Sequence, residues 1–204
     1  MPEILRMQTI VLATRNQGKL KEIRAILHDF PITFVSLSDY PEVPEVIEDG
    51  ATLEANALKK AREIFCSTTL PALADDTGLE VFHLGMAPGV LSARYAGKNV
   101  SYEDNNKKLL SELHAVPVEQ RRAQFRCVAA FVMKDVEMMT EGVCPGNIID
   151  RRRGAGGFGY DPLFVPDGYD KTFAELPAEI KNQISHRAHA FRKMKTMLAE
   201  SFIR

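Results

Sequence analysis

The chain has 204 residues, 45% of them apolar, with 27 acidic against 26 basic side chains and a formal net charge of -1. That length suits one domain or two small lobes, and that apolar share can bury a core, which excludes a disordered chain. The balanced charge argues against a nucleic-acid-seeking surface, no apolar run reaches the roughly 18 residues of a membrane helix, and residues 1–8 lack a signal-peptide core.

Cys66, Cys127 and Cys144 are far apart and match no zinc spacing, so they read as buried reduced thiols of a soluble cytoplasmic protein. Residues 9–13 (TIVLA) form a continuous apolar, β-branched run and predict a buried first strand. The polar loop Thr14-Arg15-Asn16-Gln17-Gly18-Lys19 follows, and then Leu20, Ile23, Ile26 and Leu27 recur at helical spacing. Backbone N–H groups at such a helix start can cradle phosphate, and Lys19 would add a point charge. The loop is not a Walker A loop, because Leu20 stands where a Ser or Thr would hold magnesium. The alternative is a plain capped connection.

Residues 32–37 (ITFVSL) predict a second strand, making a βαβ opening. Residues 39–50 are loop-like and acid-rich, with Glu42, Glu45, Glu48 and Asp49. Thr52 is a good N-cap for a helix over 52–65, whose inner stripe carries Asn56 and Lys60 among apolar residues. In a core seam these two either snorkel at its edge or line a polar cleft.

The run 72–74 leads into Asp75 and Asp76, and a second apolar run covers 79–84. We read a buried strand ended by a turn at Thr77-Gly78. Two acids there are costly to desolvate unless something positive meets them, and a hard divalent cation suits carboxylate oxygens. Side chains alternate along a strand, so one acid should face the ion and the other should aim elsewhere. An acidic turn is the plainer alternative.

Residues 85–97 read as loop and include Ser92-Ala93-Arg94-Tyr95, and Ser101 starts a helix to about His114. Strands over 124–133 and 138–143 form an antiparallel pair about Asp135, with Ile148-Ile149 as a third short piece. Residues 151–160 (RRRGAGGFGY) carry four glycines and need unusual dihedrals or a close backbone approach. A short strand over 163–165, a helix from Pro177 to about Ile184, and a last helix capped by Ser185 complete the chain. Arg151 to Arg153 read as a solvated run rather than a nucleic-acid surface. His186 and His189 have metal-like spacing but no third ligand, so capping or substrate contact is favoured over zinc. Phe158, between two glycines, either packs normally or lies open to a flat ligand.

Phosphate donors, a metal site and a stacking surface are the three needs of a nucleoside triphosphate. The ordered segments Thr14-x-Asn16-x-x-Lys19, Thr52 to Ala61, Ala74-Asp75-Asp76-Thr77-Gly78-Leu79, Ser92-Ala93-Arg94-Tyr95, Gly157-Phe158-Gly159-Tyr160-Asp161-Pro162 and Ser185-His186-Arg187 resemble the inosine/xanthosine triphosphate pyrophosphatase family. The resemblance runs from about Thr9 to the C-terminus. It implies an α/β fold, a mixed central sheet with flanking helices, as a single domain over 1–204 whose two lobes enclose a nucleotide cleft. It also implies a homodimer, a magnesium requirement, and no nucleic-acid or membrane partner. By position Asp76 corresponds to the general base and a metal ligand, with Glu48 the other ligand and Glu45 and Glu42 kept open. Thr14, Arg15, Asn16, Gln17, Gly18 and Lys19 would hold the triphosphate, and Thr77 would touch substrate. Phe158, Gly159, Tyr160, Asp161, Lys181, His186 and Arg187 would read sugar and base. The expected reaction gives a nucleoside monophosphate and pyrophosphate from ITP, dITP or XTP; a non-catalytic triphosphate sensor is the alternative.

Overall fold

The computed structural model describes residues 9–202, so the segment 1–8 read above as lacking a signal core lies outside the described residues. Strand β1 (Thr9–Leu12), helix α1 (Gln17–Ile26) and strand β2 (Thr33–Ser36) form the expected βαβ opening. β1 pairs in parallel with β2, Thr9 opposite Thr33, and with β3 (Ala72–Val81), Val11 opposite Ala72. Helix α2 (Leu53–Thr68) connects the two, and Thr52 Oγ1 caps it by accepting from Ala55 N at 3.1 Å.

Helix α3 (Tyr102–Glu112) is capped by Ser101, whose side chain exchanges hydrogen bonds with Asp104. β4 (Arg122–Met133) and β5 (Val136–Ile148) are sheet neighbours joined by two residues. A connection that short joins antiparallel strands. β6 (Phe164–Pro166) pairs antiparallel with β5, and helices α4 (Ala178–Ile184) and α5 (His186–Phe202) follow. The six-stranded mixed sheet runs β2-β1-β3-β4-β5-β6.

Three sequence expectations are corrected. Cys66, on the outer face of α2, is exposed, so only Cys127 and Cys144 are buried thiols. The Asp75 to Gly78 stretch is no turn, because β3 runs unbroken through it. Cations on distant elements neutralise the acids, and Gly78 lets Gly89 approach: a Cβ there would lie 2.6 Å from Gly89 O. The Ile148 piece is no separate strand, because β5 extends to it. Pro145 and Gly146 do not break β5, since Gly146 lies opposite Pro166 and its missing side chain admits β6.

The chain divides into two compact units. Among the described residues the first holds 9–76, 127–142 and 187–202, with a core of Ile10, Leu12, Ile23, Leu73, Phe131, Phe191 and their neighbours. The second holds 77–126 and 143–186, with a core of Leu79, Leu109, Phe125, Leu163, Phe164 and Phe173. Each fully buried Leu, Ile or Phe contributes roughly 1.5–3 kcal/mol. No helix among the described residues is long and apolar enough to cross a membrane.

Candidate active site

In the first unit, the loop after β1 caps α1 with its own side chains. Asn16 Oδ1 accepts from Lys19 N at 3.1 Å, and Thr14 Oγ1 accepts from Asn16 N at 3.2 Å. Gln17 and Gly18 open α1. The Arg15 guanidinium is turned to the 40–43 segment, donating to Val43 O at 2.7 Å. Lys19 Nζ lies 3.1 Å from Asp75 Oδ2.

Asp75 and Asp76 are both buried, and β3 sends them to different partners. Asp75 Oδ2 meets Lys19 and also accepts from Arg187 Nη2 at 3.0 Å and Nε at 3.3 Å. The other arm of Arg187, Nη1, donates to Glu22, itself buried on α1. Two cations and two anions thus compensate one another away from water, which a buried charge requires. Burial alone would push the Asp75 carboxyl up, but Lys19, Arg187 and Lys60 overcome it and hold it well below the usual carboxylate range.

Asp76 Oδ2 accepts from Asn56 Nδ2 at 3.0 Å, and its Oδ1 lies 3.9 Å from Lys60 Nζ. Asn56 Oδ1 in turn accepts from Gly50 N at 2.8 Å, fastening the acidic loop to α2. Lys60 Nζ also donates to Glu48 Oε1 and to the Asp75 carbonyl. The unusual Asn56 and Lys60 of the α2 stripe are therefore buried polar ties, not snorkelling edges. Burial raises the Asp76 carboxyl and the Glu48 charge raises it further, against Lys60, Lys19 and the Asn56 hydrogen bond.

Two carboxylates, Glu48 and Asp76, thus flank one ammonium. Among the described residues no three His, Cys, Asp or Glu side chains gather as a ready cation cage. Two hard oxygen donors with the remaining positions left to water and phosphate are how magnesium is usually held. The donor set fits that ion. Of the three glutamates kept open, Glu48 is the one tied to Lys60 beside Asp76.

In the second unit, the 157–161 turn is fixed from below. Asp161 Oδ2 accepts from Phe158 N at 2.8 Å and is ion-paired to Lys181. Gly157 has φ +68, and a Cβ on it would sit 2.1 Å from that carboxylate oxygen, so only glycine fits. Lys181 Nζ stands 5.0 Å from the centre of the half-buried Phe158 ring. Tyr160 OH donates to Ser92 O at 2.9 Å. Thr77 follows on β3, half-buried. His186 is buried, its ring stacked on Phe125 at 4.7 Å and 17°.

The predicted base-reading set therefore divides. Phe158 to Asp161, Lys181 and His186 belong to the second unit, whereas Arg187 belongs to the first, on Asp75 and Glu22. Sequence reasoning missed Glu22. The available signal was an acid one place before the core residue Ile23 and three after Lys19.

The profile of the Ham1 family matches residues 10–197. A dITP/XTP pyrophosphatase of Geobacter sulfurreducens is 54% identical over 193 residues, 94% of this chain and 97% of that protein. One from Thermoanaerobacter pseudethanolicus is 47% identical over 93% of this chain and 96% of its own length. Among solved structures, a HAM1 protein from Coxiella burnetii superposes with TM-score 0.86 at 41% identity, covering 96% of this chain and 100% of that one. The Staphylococcus aureus Ham1 protein gives 0.84 at 40% identity, covering 95% and 99%.

Proposed function

The chain belongs to the Ham1 family, and we propose on that premise that it hydrolyses the non-standard purine triphosphates ITP, dITP and XTP to the nucleoside monophosphate and pyrophosphate. It is a nucleoside-triphosphate pyrophosphatase that removes deaminated purines from the nucleotide pool. The observation that carries the mechanism is the pair Glu48 and Asp76 about Lys60, with Lys19 on the neighbouring carboxylate.

The first unit handles the triphosphate. Backbone N–H groups of Thr14 to Lys19 and the Lys19 ammonium hold the departing phosphates. Asp76 orients and deprotonates the attacking water, and its raised pKa makes it a better proton acceptor than an ordinary carboxylate. Asn56 and Lys60 keep it in place. Glu48 and Asp76 would hold magnesium, which when bound polarises the phosphates and neutralises the leaving pyrophosphate.

The second unit handles sugar and base, with Phe158 as the stacking ring and Thr77, Lys181 and His186 around it. The 6-oxo group of hypoxanthine and xanthine accepts a hydrogen bond where adenine presents an amino donor. Donors from His186 or the backbone near Phe158 meet that acceptor and are left unpaired by adenine, which discriminates by orders of magnitude. The two units serve as lobes of one functional domain, and the enzyme works as a cytoplasmic homodimer.

A nucleotide panel with magnesium, scored for pyrophosphate against orthophosphate, tests this reading. ITP, dITP and XTP should release pyrophosphate and ATP should lag far behind. Comparable turnover of ATP and ITP would refute the base assignment, and binding without pyrophosphate release would favour a sensor.

A further inference from the structure

Helix α3 touches the 151–161 loop with three side chains of its first turns. The Tyr102 ring packs against Phe158, centroids 6.2 Å apart and tilted 41°. Glu103 pairs with Arg152 at 3.3 Å. Asn106 Nδ2 donates to Gly159 O at 3.1 Å. Tyr102 and Asn106 are four residues apart and so share a helix face. The adjacent Asn105 faces the other way, accepting from Ala96 N at 2.8 Å and donating to Ala93 O at 3.1 Å.

Asn106 is only 1% exposed, and its buried Oδ1 has no hydrogen-bond partner among the described residues. Burying that oxygen costs free energy that a leucine at the same place would not incur. The side chain is therefore not there for helix stability. What it supplies is the grip of Nδ2 on Gly159. The peptide it grips is trans, so holding the Gly159 carbonyl toward α3 turns the Tyr160 N–H away from α3. Gly159 itself, at φ +60 and with nothing within 4 Å of a Cβ, offers no other restraint on that peptide.

We propose that Tyr102 and Asn106 are positioning residues for base specificity, setting from one face of α3 the Phe158 ring and the Gly159–Tyr160 peptide against which the purine is read. This rests on the assignment of the 157–161 turn to the base. Tyr102 packs on Phe158 and Asn106 holds Gly159, so their influence falls on base recognition and not on the chemical step.

The test compares Asn106→Leu, Tyr102→Leu and Phe158→Ala with the unaltered protein. It reads kcat and KM for ITP and ATP, the inhibition constant of inorganic tripolyphosphate as a ligand without a base, and the thermal midpoint. Asn106→Leu should raise KM for ITP about fivefold to tenfold with kcat within about twofold, the signature of lost uniform binding. It should narrow the preference for ITP over ATP, leave tripolyphosphate inhibition unchanged, and leave the midpoint no lower. Tyr102→Leu, at an exposed position, should act in the same direction by about twofold to fivefold. If Phe158→Ala raises KM while both α3 variants match the unaltered protein, the proposal is overturned and the base site stands. If Phe158→Ala also leaves KM unchanged, the base-site reading fails and takes the proposal with it. A midpoint that falls together with a tripolyphosphate inhibition constant that rises would mark a packing role and overturn it too.

Discussion

One peptide bond separates Asp75 from Asp76, yet the regions they enter are opposite in character. Asp75 joins a closed lattice with Lys19, Arg187 and Glu22, in which the cations outweigh desolvation and keep it ionised. Asp76 enters surroundings where desolvation and Glu48 outweigh Lys60, Lys19 and the Asn56 hydrogen bond, and its carboxyl is raised. Period-two alternation along a buried strand is enough to produce the difference. A saturated carboxylate holds structure and positions Lys19, whereas an under-compensated one has proton affinity left to use.

The comparison breaks most readily at Asp75. Asp75→Asn leaves the buried Arg187, and Lys19 beside it, without their shared anion, and should cost about 3–5 kcal/mol of stability, measured by denaturant unfolding. Asn56→Ala comes next: it removes a hydrogen bond to a carboxylate and one to Gly50 N, and should cost about 1–3 kcal/mol. Because that bond lowers the Asp76 pKa, the acid limb of kcat/KM should move to higher pH in the same variant.

The pH dependence of stability should carry both signs. A depressed carboxylate contributes stability present above its unfolded pKa, about 3.9, and lost as pH falls through the folded value. Asp75 is that case, so Asp75→Asn should flatten the acid-side fall of the thermal midpoint. A raised carboxylate does the reverse, weakening the fold at neutral pH and ceasing to do so as pH falls through its folded pKa. Asp76→Asn should therefore raise the midpoint at neutral pH. At the small end, Arg62→Ala removes the exposed bidentate pair with Glu137 and should leave the midpoint unchanged.

The local parts of this site are legible in the sequence. The TIVLA strand, the Asn16 and Thr52 caps, the α3 start at Ser101 and the glycine-flanked Phe158 follow from spacing and side-chain chemistry within a few residues. The unbroken course of β3 does not. Asp-Asp-Thr-Gly carries every local mark of a turn, and what keeps it extended includes a guanidinium 112 positions away. His186 and Arg187 show the same limit: neighbours at a helix start, one stacked on Phe125 and the other gripping Asp75 and Glu22. Glu22 and Asn106 look like ordinary helix polar residues until their partners 165 and 53 positions away are placed.

The most direct test is single-turnover release of pyrophosphate from ITP by Asp76→Asn with magnesium, alongside nucleotide affinity on the same sample. Retained affinity with release slowed about 10²–10⁴-fold is the expected result for a lost general base. Release at the rate of the unaltered protein would contradict the assignment of the proton acceptor to this face of β3.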